Sequence, residues 1–118
     1  MDATTENATI LNELESLLAT LGADSGPPAL AVLEERLTSG YAHALALEAE
    51  RLRLERRFGA LAAELGPRPQ QSRAEELATL AQRMASADGD LDRLRFVLAA
   101  LRLRVSALRS AAAPPAPA

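Results

Sequence analysis

Sixteen carboxylates, thirteen arginines and a single histidine are the side chains with which this chain could do acid–base or anion chemistry. His43 is the sole imidazole, so a general acid–base couple, a nucleophilic triad or a histidine-bearing metal site would have to be built on it. No nucleophile or orienting acid stands at a telling spacing from it, and His43 is expected to be an ordinary helix-surface residue. The carboxylate pairs Glu34-Glu35, Glu48 with Glu50, and Glu75-Glu76 have the composition of an acid–base pair but the context of solvated helix faces. Asp88-Gly89-Asp90-Leu91-Asp92 begins like a calcium loop, yet the glycine and the closing glutamate that such a loop needs are missing at the required spacing. Cysteine is absent, which excludes disulfides, thiolate ligands and cysteine nucleophiles. There is no Gly-rich phosphate loop either. No catalytic, cofactor-binding or metal-binding residue is therefore assigned, no cofactor is expected, and the chain is not expected to be an enzyme.

The arginines raise a different possibility. Residues 1–50 carry nine acids and one arginine, whereas residues 51–118 carry twelve arginines and seven acids, within a net charge of -3. Arg93, Arg95, Arg102, Arg104 and Arg109 follow one another with no acid after Asp92. A nucleic-acid face normally interleaves such a run with aromatics, and Phe96 alone meets that description. Nucleic acid is accordingly not the expected partner, and the basic run is expected to balance an acidic neighbour within the fold.

What would position these charges is a set of helices. Alanine and leucine dominate the composition, with two Phe, one Tyr and no Trp, as in long packed helices rather than sheets. From Leu77 the apolar residues fall at Leu80, Met84, Ala87, Leu91, Leu94, Leu98, Leu101, Val105, Leu108 and Ala112, alternating steps of three and four over five heptads. This predicts a third helix over about residues 73–112, opened by a capping box of Ser72 and Glu75 and followed by a Pro/Ala-rich tail at residues 114–118. The tail places prolines at a spacing that polyproline-binding modules recognise, but so short a segment is expected to be inert.

A second helix is predicted from Pro28 to Leu65, with a seam of Leu30, Leu33, Leu37, Gly40, Ala44, Leu47, Arg51, Leu54, Phe58, Leu61 and Leu65. Two positions break the pattern. Gly40 removes a side chain and allows close helix approach, or else marks a kink beside Ser39; Arg51 puts a charge in the seam, within reach of Asp88 or Asp90. Gly66, Pro67 and Pro69 end this helix. If the chain folds back about Pro69, Leu47 meets Leu91, Leu54 meets Met84, Phe58 meets Leu80 and Leu61 meets Leu77, so both seams stay in phase. Gly59, Ala60, Ala62, Ala63, Ala78, Ala81 and Ala85 are expected to let the two backbones approach near the turn.

The first helix, about residues 5–21, carries Ile10, Leu14, Leu17 and Leu21 on one stripe, with Gly22 as its cap and a turn through Asp24, Ser25 and Gly26. Being short, it can cover only the open end of the hairpin, where Phe96, Val97, Ala100, Leu103 and Ala107 form a second stripe on the third helix. The expected fold is all-α: an elongated, coiled-coil-like antiparallel helical hairpin with a short N-terminal third helix packed on its open end, one helical domain over residues 1–113. No apolar run reaches the length of a membrane span and no secretion signal is recognised, so an intracellular, cytoplasmic protein is the default expectation.

Residues 45–93 have two helices only, which leaves apolar flanks uncovered. Tyr41, Leu45, Leu52, Phe96 and Leu103 are the candidate partner-binding residues. The expected function is that of a non-enzymatic subunit or adaptor that assembles with itself or with another protein through its helix faces. The competing expectation is a small acidic chaperone that shields an apolar segment of a client.

Overall fold

Three helices and no strand make up the described residues of the computed structural model, which are 3–20 and 27–112, with side chains described for 6–20 and 29–111. They are α1 (Ala3–Thr20), α2 (Pro27–Glu64) and α3 (Gln71–Ala112). The cap at Gly22, the turn at Asp24–Gly26 and the tail at residues 114–118 lie outside the described residues. α2 opens on two prolines, whose missing N–H groups fall where a first helical turn has no acceptor for them. It closes with Leu65 N–H donating to Ala62 O at 3.2 Å, a tightened last turn, before Pro67 and Pro69 prevent continuation. Gly40 and Gly89 both lie inside continuous helix, so neither interrupts the element that holds it.

The third helix starts earlier than its sequence signature implies. Gln70 O accepts from both Arg73 N–H and Ala74 N–H at 3.1 Å, so Gln70 flanks the helix and Ser72 lies inside it. Glu75 accepts instead from Gln71 Nε2 at 3.2 Å. The expected Ser72–Glu75 capping box is thus replaced by a side-chain bond one turn long, because the helix begins at Gln71 and Ser72 no longer occupies the flanking position.

The chain divides into two compact units, Met1–His43 with Arg93–Ala118, and Ala44–Asp92. In the first, α1 packs with the leading part of α2 and the trailing part of α3. Its core holds Leu11, Leu14, Leu33, Leu94, Val97, Leu98, Leu101 and Val105, all buried. Gly40 sits at a close approach of the helices: a Cβ built there would stand 2.5 Å from Leu98 Cδ2 and 3.4 Å from Leu14 Cδ1. The residue that drops out of the seam therefore makes room for side chains from both other helices.

In the second unit α2 and α3 are alone. Leu54, Leu61 and Leu80 form its buried cluster near the turn, with Phe58, Leu77 and Met84 packed against it. These are the residues that folding back about Pro69 brings together, and Leu47 and Leu91 are buried as well. Gly40 against Leu98 in the first unit obeys the same antiparallel pairing. The small residues Gly59, Ala60, Ala62, Ala63, Ala78, Ala81 and Ala85 are all exposed, and no other part of the fold comes within 4 Å of a Cβ built at Gly59. They do not line the helix contact as expected, because the three-and-four spacing gives the seam to the large residues and turns these outward.

Candidate interaction faces

The charges sort out within each unit. In the first, Arg93 Nη2 donates to Glu15 Oε1 at 3.1 Å and Arg109 Nε to Glu34 Oε1 at 3.2 Å, while Arg36 Nη1 reaches Glu13 Oε2 at 3.4 Å. The basic end of α3 thus meets acids of α1 and α2, as the charge split implies. All these partners are largely exposed, and each pair contributes at most about 1 kcal/mol. In the second unit Arg57 pairs with Glu76 at 3.0 Å and Arg73 with Glu64 at 2.8 Å across the turn. Arg53 pairs with Glu50 within α2 at 2.7 Å.

Arg51, the charge in the α2 seam, is half-buried and rests its Nε on Asp88 Oδ1. The contact is an ion pair rather than a directed hydrogen bond, since the Nε lacks a partner of hydrogen-bonding geometry. A further contact of Arg51 Nη2 with Glu55 Oε1 at 3.4 Å runs along the same helix. Its aliphatic stem can cover the seam while the guanidinium reaches the rim.

The carboxylates considered for chemistry are placed on helices. Asp88 and Asp90 belong to continuous α3 rather than to a loop, Asp88 is committed to Arg51, and Glu76 to Arg57. Among the described residues, no three His, Cys, Asp or Glu side chains stand where they could share a metal ion. His43 differs from the surface residue expected: it is half-buried, with a buried Nε2 that has no hydrogen-bond partner among the described residues.

The five candidate partner residues are all exposed. Tyr41 retains 42% of its surface, Leu45 66%, Leu52 47%, Phe96 75% and Leu103 73%. For Leu45 and Leu52 this is the outcome that a two-helix unit dictates, because two helices share one seam and the opposite face of each has nothing to meet. No family model matches the chain, nor does any curated protein or solved structure. The faces must therefore be understood from their own geometry.

Phe96 and Leu103 correct the expectation that they, with Val97, Ala100 and Ala107, form one stripe beneath α1. Val97 is buried and Ala100 half-buried, whereas Phe96, Leu103 and Ala107 are exposed. At about 100° of rotation per residue, Val97 lies beside the Leu94–Leu98–Leu101 seam, but Phe96 and Leu103 fall close to the opposite side of α3. α1 has no reach to that side.

Sequence reasoning overlooked Val32, 47% exposed, at a groove of α1 and α2 that Leu17, Arg36 and Thr20 also line. Its signal was its place one residue before fully buried Leu33, an apolar residue just off the seam on the side that α1 occupies.

Proposed function

We propose that this chain is a non-enzymatic helical subunit or adaptor, which assembles with a second copy or with another protein through coiled-coil-type packing of its outward helix faces. The observation that carries this reading is the pair Leu45 and Leu52, exposed two turns apart on α2 in the unit that has only two helices. Leucines repeating at seven residues on one side of a helix form a seam, and a seam lowers its free energy by burial against another helix. A second hairpin laid on this face would complete a four-helix arrangement, the common way to cover such surfaces. Pairing with a second copy by two-fold symmetry is the simplest source of that hairpin.

The test is the double substitution Leu45→Glu with Leu52→Glu. Both positions are exposed, so the variant should keep the helical circular dichroism of the parent. By light scattering and affinity purification, the parent should run above the mass of one chain or carry a stoichiometric partner, and the variant should lose that mass or that partner. A monomeric parent whose captured proteins are the same as the variant's would remove the support for this reading. A captured protein that exchanges freely with competitor would instead favour the client-shielding chaperone.

A further inference from the structure

We propose that the outward face of α3 around Phe96 and Leu103 is a docking surface for an acidic amphipathic helix of a different protein. This goes beyond the Leu45–Leu52 reading and does not depend on it. Phe96 and Leu103 stand two turns apart and are the most exposed large apolar side chains among the described residues. Between them lies exposed Ala99 and beyond them exposed Ala107, small enough for a partner backbone to come close. Two rows of arginine border this strip. Arg95 and Arg102 follow one edge and Arg93 and Arg104 the other, each about a quarter-turn or less around α3 from Phe96 or Leu103.

The rows differ in how they are occupied. Arg93 is held by Glu15 and Arg95 also has a partner. Arg102 and Arg104, exposed on either side of Leu103, make no ion pair with any described residue. The acids of α1 and α2 therefore neutralise the strip only in part, and α3 itself has no acid after Asp92 to complete the task.

This charge pattern selects the occupant. A second copy docking by the same face would set arginine rows against arginine rows in either helix direction, and like charges so placed repel. A nucleic acid would gain from the arginines but would find one aromatic to stack on and leave Leu103 unused. A lipid surface takes up a broad apolar face, whereas this strip offers two large side chains. A helix with apolar residues seven apart and Glu or Asp on both flanks would bury Phe96 and Leu103 and give Arg102 and Arg104 carboxylate partners in a single pose.

The experiment uses the full chain and a synthetic labelled helix with leucines at heptad spacing and glutamates on both flanks, followed by fluorescence anisotropy. The same peptide with lysine flanks, a DNA duplex, and phosphatidylserine–phosphatidylcholine vesicles are the comparison probes. The glutamate peptide should bind and the lysine peptide should not. Phe96→Ser with Leu103→Ser should weaken binding about tenfold or more. Arg102→Gln with Arg104→Gln should weaken it about fivefold and flatten its salt dependence. Leu45→Glu with Leu52→Glu should leave it unchanged, so failure of the assembly reading and failure of this one give different results. Equal binding of the two peptides, wild-type affinity in the Phe96/Leu103 or Arg102/Arg104 variants, loss of binding in the Leu45/Leu52 variant, or tighter capture of the duplex or the vesicles would each overturn the proposal.

Discussion

The three-helix unit and the two-helix unit are built from the same two amphipathic helices, and they differ in how completely those helices bury their seams. In the three-helix unit Leu33, Leu94 and Leu101 retain no accessible surface. In the two-helix unit the cluster residues Leu54, Leu61 and Leu80 keep 8%, 7% and 4%. The seam spacing is the same in both, so the difference comes from α1, which closes one flank of the seam through Leu11 and Leu14. What a third helix adds is removal of the last contact with water. Where it is absent, outward residues such as Leu45 and Leu52 stay exposed.

The largest test of this contrast is truncation of the seam itself. Leu101→Ala should destabilise by about 4 kcal/mol, because a fully enclosed leucine leaves a cavity that its neighbours cannot fill. Leu61→Ala, at a seam open to water on its flanks, should cost about 2 kcal/mol, since the site can relax and admit solvent. Urea midpoints at constant slope report the two values. Equal losses would mean that α1 adds little to the packing of the seam.

Glycine sharpens the comparison because its substitutions should have opposite signs. Gly40→Ala adds about 1 kcal/mol of helix propensity but drives a methyl into fully buried Leu98, an overpacking that costs about 2 kcal/mol. The net expectation is a loss of about 1 kcal/mol. Gly89→Ala meets nothing within 4 Å and should gain nearly the full propensity difference, about 1 kcal/mol. Thermal unfolding should show the first variant below the parent and the second above it. A rise in melting temperature for Gly40→Ala would deny the close approach of the three helices.

Most of the fold was legible in the spacing of leucines and in the placement of prolines. Of the two irregular seam positions, Gly40 leaves a close approach or a kink open and Arg51 a reach to Asp88 or Asp90; the close approach and the Asp88 pair are present. Less legible was anything decided by competition among neighbours. Glu75 had two local donors to choose between, and spacing alone does not rank Gln71 Nε2 against the Ser72 backbone. Phe96, Leu103 and Val97 are alike in being apolar, yet rotation about α3 assigns Phe96 and Leu103 to a different side. The exposed faces of Leu45 and Leu52 are legible as leftovers of the seam, because two helices share one seam and turn their other sides outward.

The smallest expected effect concerns the charge that interrupts the seam of the two-helix unit. Arg51 and Asp88 are both partly exposed, with side-chain accessibilities of 39% and 51%, so water screens their attraction. Asp88→Asn should therefore cost less than about 1 kcal/mol, and the difference should shrink further in high salt. Arg51→Met keeps the apolar stem and should cost as little, whereas Arg51→Ala should cost more by exposing the seam that the stem covers. Urea unfolding at low and high salt separates the two contributions: the part lost with the charge depends on salt and the part lost with the stem does not. If Asp88→Asn proved as damaging as Leu61→Ala, the ion pair rather than the apolar seam would be holding α2 to α3 in this unit, and the contrast between the two units would be one of charge instead of burial.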